Sequence, residues 1–190
     1  PLVSTPIQPP VGGVSAEALI PFIETASGVE YVSTGGGDRD TTVTDDITLT
    51  WSHTVTDVTG RFLLVGLVTS HATGEAWENY TALTVSSDLG GSFARLGSRH
   101  IHTILAKNGS VHFFGLYHPQ IGTHNITAHV DLPGHDFSAV AGNSLFYRGS
   151  AGAGAVASSG STFFGSIPRV SIGSAVDNMV AGLFGGSGDF

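Results

Sequence analysis

Apolar and polar residues alternate at every second position over a long stretch that begins near residue 42. Ile47, Leu49, Trp51 and His53 share one parity, whereas Thr48, Thr50 and Ser52 share the other, and this period of two predicts a strand with one buried face. The next segment, residues 61–70, is a continuous apolar run of strand length. We predict that it is a central strand buried on both sides.

Turn signals divide the rest of this region into further strands. Residues 57–60, 88–91, 119–122 and 133–136 have turn compositions. Residues 92–106 are predicted to form either a strand pair or one bent strand with a kink at Gly97. The Asn-Gly pair in residues 107–110 predicts a type I′ hairpin, because that turn needs two residues with positive φ. The intervening segments are predicted strands: 80–87, 92–106, 111–118, 123–132, 137–149, 162–172 and 178–185.

Eight to ten short strands with almost no helix predict an all-β protein, built as an antiparallel β-sandwich or a barrel. Periodicity leaves both architectures open. The small-residue segment 149–161 is predicted to be a loop.

The N-terminal 40 residues have a different character. Residues 1–14 contain four prolines and two glycines, which predict an extended N-terminal arm, and Ser15 is placed to cap a short helix that Pro21 limits. The glycine-rich segment 35–40 is predicted to be a flexible break, so we divide the chain into an arm, 1–40, and a β-sandwich domain, 41–190. The candidate residues of the arm for contacts in an assembly are Pro6, Ile7, Pro9, Pro10, Leu19 and Phe22.

The composition narrows the possible functions. Charged residues make up 12% of the chain, the net charge is −8 with only seven Lys and Arg, and there is no cysteine. This excludes disulfides and thiolate metal sites, and it gives no basic face for a nucleic acid. No transmembrane helix and no signal peptide are predicted. A charge-poor surface favours extensive contact with neighbours, so we expect a homo-oligomer.

Histidine is the first candidate for chemistry, with nine residues in the chain. His100 and His102 stand two apart in a predicted strand and could bind one metal ion from the same face. A polar strand surface and a pH-sensitive patch are the alternatives. No spacing indicates a serine nucleophile in a strand–turn–helix context or a phosphate-binding loop. We therefore predict a protein that is not an enzyme and needs no cofactor or metal.

A second candidate site is the polar loop that follows residue 70. Trp77 and Tyr80 could stack on sugar rings, and Glu75 and Asn79 could accept or donate hydrogen bonds to sugar hydroxyls. The alternative is that these aromatic rings pack on the sandwich itself or on a neighbouring subunit.

Several segments in a fixed order resemble a β-sandwich domain of minor tail and other surface proteins of actinobacterial phages. RFLLVGLVTS (61–70) resembles the buried strand of that family, and LTVSSDLGGSFARLGS (83–98) resembles its double-glycine segment. VHFFGLYHPQIGTHNITAHV (111–130) resembles the following strand pair. SAVAGNSLFYRG (138–149) and NMVAGLFG (178–185) resemble the late strands. The arm lies outside the resemblance.

The resemblance implies a jelly-roll-like sandwich with a structural or adhesive role and no catalytic residue. It favours a minor tail protein of a tailed phage, made in the bacterial cytoplasm and located on the virion, where its partners would be other virion proteins. A capsid decoration protein and a module that binds host-surface glycans are the alternatives. Neither binding to nucleic acid nor insertion into a membrane is expected.

Overall fold

The computed structural model describes residues 28–71, 80–102 and 108–150, although not the side chains of 100–102 and 108. The described part contains eight strands and no helix. The predicted arm helix, the loop 72–79, most of the predicted loop 149–161 and the last two predicted strands lie outside the described residues. The strands are β1 (Glu30–Asp40), β2 (Asp46–Val55), β3 (Phe62–His71), β4 (Ala82–Ser87), β5 (Ala94–His102), β6 (Asn108–Tyr117), β7 (Gly122–Asp131) and β8 (Phe137–Arg148).

The strands form two antiparallel sheets, which confirms the all-β prediction and is consistent with a sandwich. The larger sheet has the order β1-β8-β3-β6-β5 and the smaller has the order β2-β7-β4. Every ladder within them is antiparallel. Three strand pairs are nested in the sequence, so that each pair encloses the next: β1 pairs with β8, β2 with β7 and β3 with β6.

The main core lies between the two sheets, where the alternation of the sequence predicts it. Ile47, Leu49, Trp51 and His53 of β2 are all buried, and the hydroxyl residues between them are exposed. Along β3 the inward side chains are fully enclosed, and the outward Phe62 and Leu64 are only 6% and 7% exposed. The first half of β3 is therefore buried on both faces, as predicted for a central strand.

The glycine-rich segment 35–40 is not the flexible break that its composition predicts. It belongs to β1, and Gly37 to Asp40 pair with Asn143 to Val140 of β8. The five-stranded sheet therefore includes residues before position 41, beginning at Glu30. The glycines are present for a steric reason and not for flexibility. A Cβ on Gly35 would collide with His53 of β2 and Ser144 of β8, and a Cβ on Gly37 would lie 2.9 Å from the carbonyl oxygen of Gly142.

The predicted Asn-Gly turn is also wrong. Asn108 and Gly109 are the first residues of β6 and pair with His102 and Ile101 of β5. A Cβ on Gly109 would lie 2.5 Å from the carbonyl oxygen of Thr69, so a close approach of two strands requires glycine here. In contrast, the predicted kink at Gly97 is confirmed by a register shift between Arg95 and Gly97.

Candidate functional site

Most of the site residues predicted from the sequence lie outside the described residues. These are Trp77, Glu75 and Asn79 of the loop, together with the arm residues Pro6, Ile7, Pro9, Pro10, Leu19 and Phe22. For His100 and His102 the backbone is described, and it pairs with Ser110 and Asn108 of β6. Within the described part of the chain, no group of three or more histidine, cysteine or carboxylate side chains could hold a metal ion.

Tyr80 is the one residue of the predicted glycan site that the structure describes. Its ring stacks on Phe137 at a centroid distance of 6.3 Å, and its hydroxyl lies 2.9 Å from Oγ of Ser110. Burial raises the pKa of the Tyr80 phenol. The ring is thus partly buried against the core, and its contact with a sugar stays a prediction.

Tyr80 belongs to a buried group of polar side chains, here called the hydroxyl cluster: Thr69, His71, Tyr80, Ser110 and His112. The three hydroxyl oxygens form a triangle, with Thr69 2.7 Å from Ser110 and 3.2 Å from Tyr80. Nε2 of His71 approaches this triangle from one side, and Nε2 of His112 lies 2.6 Å from Ser110. Each hydroxyl can donate once and accept twice, so the group satisfies its own hydrogen bonds away from water.

We expect Tyr80→Phe to lower the free energy of unfolding by about 1 kcal/mol, because it removes one hydroxyl from a buried network without leaving a cavity. Chemical denaturation measures the change. Tyr31→Phe is the matched control, since Tyr31 is 51% exposed and its hydroxyl contacts only the exposed Thr34 among the described residues. Equal effects of the two substitutions would contradict the role assigned to the hydroxyl cluster.

A second buried polar group centres on His53. The indole N–H of Trp51 donates to Oγ of Ser144 at 2.9 Å, and the same oxygen lies 2.8 Å from Nδ1 of His53. Nε2 of His53 lies 3.1 Å from Oγ of Ser33. Burial, with a smaller contribution from His124, lowers the pKa of His53 to about 4. His53 is therefore neutral at physiological pH.

Ser144 and His53 form a serine–histidine pair, but its surroundings differ from those of a nucleophile. Ser144 has no exposed surface and His53 is 2% exposed. Gly35 of β1 closes over the pair so tightly that a Cβ there would lie within 3.0 Å of both side chains. The hydroxyl is already shared between Trp51 and His53. This arrangement joins β2 to β8 across the core.

His124 lies near His53 and is also fully buried. Its Nε2 is 2.5 Å from the carbonyl oxygen of Gln120, so Nε2 carries the proton that is donated there. Nδ1 then accepts from the hydroxyl of Ser87 at 2.6 Å. Four histidines on inward strand positions, namely His53, His71, His112 and His124, are therefore used in internal hydrogen bonds.

The outer face of the three-stranded sheet is a surface of short polar side chains, here called the hydroxyl face. Thr50 of β2, Thr127 of β7 and Ser86 of β4 form one row of this face, and the hydroxyls of Thr54 and Thr123 meet at 3.0 Å in another. The three strands contain no Lys, Arg or Glu. The hydroxyl face consists of the side chains of Thr48, Thr50, Ser52, Thr54, Thr84, Ser86, Thr123, Asn125, Thr127 and His129.

The outer face of the five-stranded sheet carries four aromatic rings in one cross-strand row, here called the aromatic row. Tyr31 of β1 is in register with Tyr147 of β8, which is in register with Phe62 of β3, which is in register with Tyr117 of β6. The inner two rings are about 6% exposed, whereas Tyr31 and Tyr117 are 51% and 38% exposed. Burial, with a contribution from Tyr31, raises the pKa of the Tyr147 phenol.

Comparison with known proteins gives no match to this chain, whether with protein-family models, curated proteins or solved structures. The resemblance to phage surface domains therefore stays a prediction. Among the described residues, no helix has the length and apolar character needed to cross a membrane.

Proposed function

We propose that this protein is a structural protein of a tailed-phage particle, specifically a minor tail protein, in which the sandwich is displayed and the N-terminal arm attaches it. The proposal takes the sandwich to be jelly-roll-like. The described residues support this, since they form eight strands in two antiparallel sheets, and jelly rolls are two-sheet structures of eight strands.

The observation that carries the proposal is the position of the polar side chains. His53 and Ser144 join the two sheets from inside, whereas the buried His124 and His112 form hydrogen bonds within one sheet. The outer faces present short hydroxyl side chains on one sheet and aromatic rings on the other. Such faces suit contact with other proteins, because the cores of protein interfaces are poor in charge and enriched in aromatic residues.

Within this proposal, self-association uses the hydroxyl face. The strands of this face carry no Lys, Arg or Glu, and its carboxylates lie around the central hydroxyl rows: Asp46 and Asp131 are paired across β2 and β7, Asp88 accepts from Asn125, and Asp38 accepts from the backbone N–H of Thr50. Two such faces can meet over the central rows, where the hydroxyls can donate and accept in either direction. A homo-oligomer through this face would leave the aromatic row accessible.

Thr127→Lys tests the role of the hydroxyl face, because Thr127 lies on the middle strand of that sheet. A lysine on each copy would bury two like charges at the contact, so we expect the oligomer to dissociate. Light scattering at several concentrations measures the mass of the full chain. Thr41→Lys, the same change on an exposed loop residue, should keep the wild-type mass. A monomeric wild type, or an oligomer that survives Thr127→Lys, would refute this interface.

Two alternatives remain distinct proposals. A capsid decoration protein would use the same faces at a different place on the particle. A module for host-surface glycans would rest on Trp77 and Tyr80, with Glu75 and Asn79, and the ring of Tyr80 would take part from its stacked position on Phe137. Trp77→Ala would abolish binding to host cells if the module binds glycans there, and would leave binding and assembly unchanged if the protein is purely structural.

A further inference from the structure

The length of the aromatic row and the groups that it presents indicate what kind of segment could bind to it. It crosses four strands, so the outer rings are separated by three strand spacings, or about 14 Å. The rings of Phe62 and Tyr117 lie 4.9 Å apart, and those of Tyr31 and Tyr147 are edge to face at 6.2 Å. Three of the four rings carry a hydroxyl. The row thus has two exposed rings, Tyr31 and Tyr117, on either side of two rings that are about 6% exposed. Proline-rich segments in the polyproline II conformation are recognised by surfaces lined with aromatic rings.

The chain itself supplies a segment of this type. Residues 6–10 read PIQPP, with three prolines in five residues. In the polyproline II conformation five residues span about 15 Å, which matches the length of the row. That conformation leaves its carbonyl groups without internal partners, so the exposed hydroxyl of Tyr31, which lies 2.7 Å from Oγ1 of Thr34, can donate to one of them.

The first residues that the structure describes lie at this surface. Val29 packs against the cluster of Phe62, Leu64 and Tyr147, on the same outer face as the row. Seventeen residues, 11–27, separate the proline-rich segment from the first described residue. Extended, they would reach about 55 Å, several times the length of the row. A tether of this length gives an effective concentration on the order of millimolar, so even weak docking within one chain would be populated.

We propose that, in the free protein, the segment Pro6–Pro10 docks on the aromatic row of its own sandwich. The segment then contacts the exposed rings of Tyr31 and Tyr117. This docking concerns the free chain and does not depend on the phage assignment.

Paramagnetic relaxation in the full-length protein tests the docking. The chain contains no cysteine, so Gln8→Cys provides a single site for a nitroxide within the docking segment. In a dilute sample enriched in ¹⁵N, we expect loss of the amide signals of Tyr31, Phe62 and Tyr147. The signals of Thr50 and Thr127 on the opposite sheet should keep their intensity. No loss on the row, or equal loss on both faces, would overturn the proposal.

A mixed sample identifies the source of the segment. Chains that are enriched in ¹⁵N but carry no nitroxide are combined with nitroxide chains that are not enriched, and the row should then keep its signals. Loss of the row signals in this sample would show that the segment comes from a second copy, against docking within one chain.

Matched variants identify the chemistry of the contact. Replacing Pro6, Pro9 and Pro10 by serine, and separately Tyr31→Ser, should each restore the row signals in the dilute sample. Val43→Ser is the control for the loss of an exposed apolar side chain, since Val43 is 62% exposed outside the row, and it should change nothing. Signal loss that persists without the three prolines would overturn the proposal. The proposal would also be overturned if a soluble oligosaccharide shifted the row signals while the nitroxide did not weaken them, because the row would then bind a sugar.

Discussion

Replacing Gly35 by alanine is expected to lower the free energy of unfolding by about 3 kcal/mol. The new Cβ would lie within 3.0 Å of Nδ1 of His53 and of Oγ of Ser144, closer than real Cβ atoms approach other atoms. Relief would require β1 to move or the His53–Ser144 hydrogen bond to break. Overpacking of a core costs about 1–3 kcal/mol, and an unpaired buried polar group adds to this.

The adjacent glycine provides the control for this experiment. A Cβ on Gly36 would have the carbonyl oxygen of Ser52 as its nearest neighbour at 3.5 Å, which is an ordinary contact. We expect Gly36→Ala to change the free energy of unfolding by less than about 0.5 kcal/mol. Urea denaturation of the two variants gives both values. Similar effects of both substitutions would mean that β1 does not close over His53 as described.

Acidification is expected to remove about 3 kcal/mol of stability through His53 alone. The pKa of this imidazole is about 4 in the folded protein, compared with the ordinary value of 6.5 in the unfolded chain. As the pH falls below 6.5, the unfolded chain binds the proton first, so the free energy of unfolding decreases down to pH 4 and levels off below it. Above pH 6.5 this contribution is fully present.

The pH dependence can be separated from that of other groups. His124 is the titratable side chain that acts on His53 electrostatically. Hydrogen bonds from Thr42 and Asn125 lower the pKa of Asp40 and of Asp88, respectively. These carboxyls therefore change the free energy of unfolding mainly below the pH range in which His53 does. Denaturation at pH 8, 6.5, 5 and 4 should therefore show a slope that His53→Gln reduces. An unchanged slope in His53→Gln would contradict the buried neutral histidine.

The sequence predicts those parts of the fold that depend on local pattern. Alternation along β2 places His53 among the core residues, and the apolar run identifies β3 as central, because burial on one or both faces is recorded in neighbouring residues. The bulge at Gly97 is also a local signal.

The wrong predictions concern glycines that are required by residues distant from them in the sequence. Gly35 is required by Ser144, more than a hundred residues later, and Gly109 is required by the carbonyl of Thr69. Read locally, both positions indicate flexibility or a turn. A glycine that makes room for another strand cannot be distinguished from one that bends the chain until the strand pairing is known.

The candidate surfaces depend on pairing in the same way. Tyr31, Phe62, Tyr117 and Tyr147 are widely separated in sequence, and only the register of four strands brings them into one row. Tyr80 follows the polar loop closely and its sequence position groups it with that loop, yet its partners Thr69, Ser110 and Phe137 come from three other strands. Inward and outward positions can be assigned from a strand pattern, but neighbours across a sheet cannot.

The central claim of the proposal, that a tailed phage encodes this protein, is tested most directly by its position on purified particles of such a phage. Gold-labelled antibody against the sandwich, viewed by electron microscopy, locates it, and peptide mass spectrometry of the same particles gives its abundance. We predict label on the tail at a low copy number. Label spread over the capsid would indicate decoration instead, and particles that lack the protein altogether would contradict a structural role in the virion.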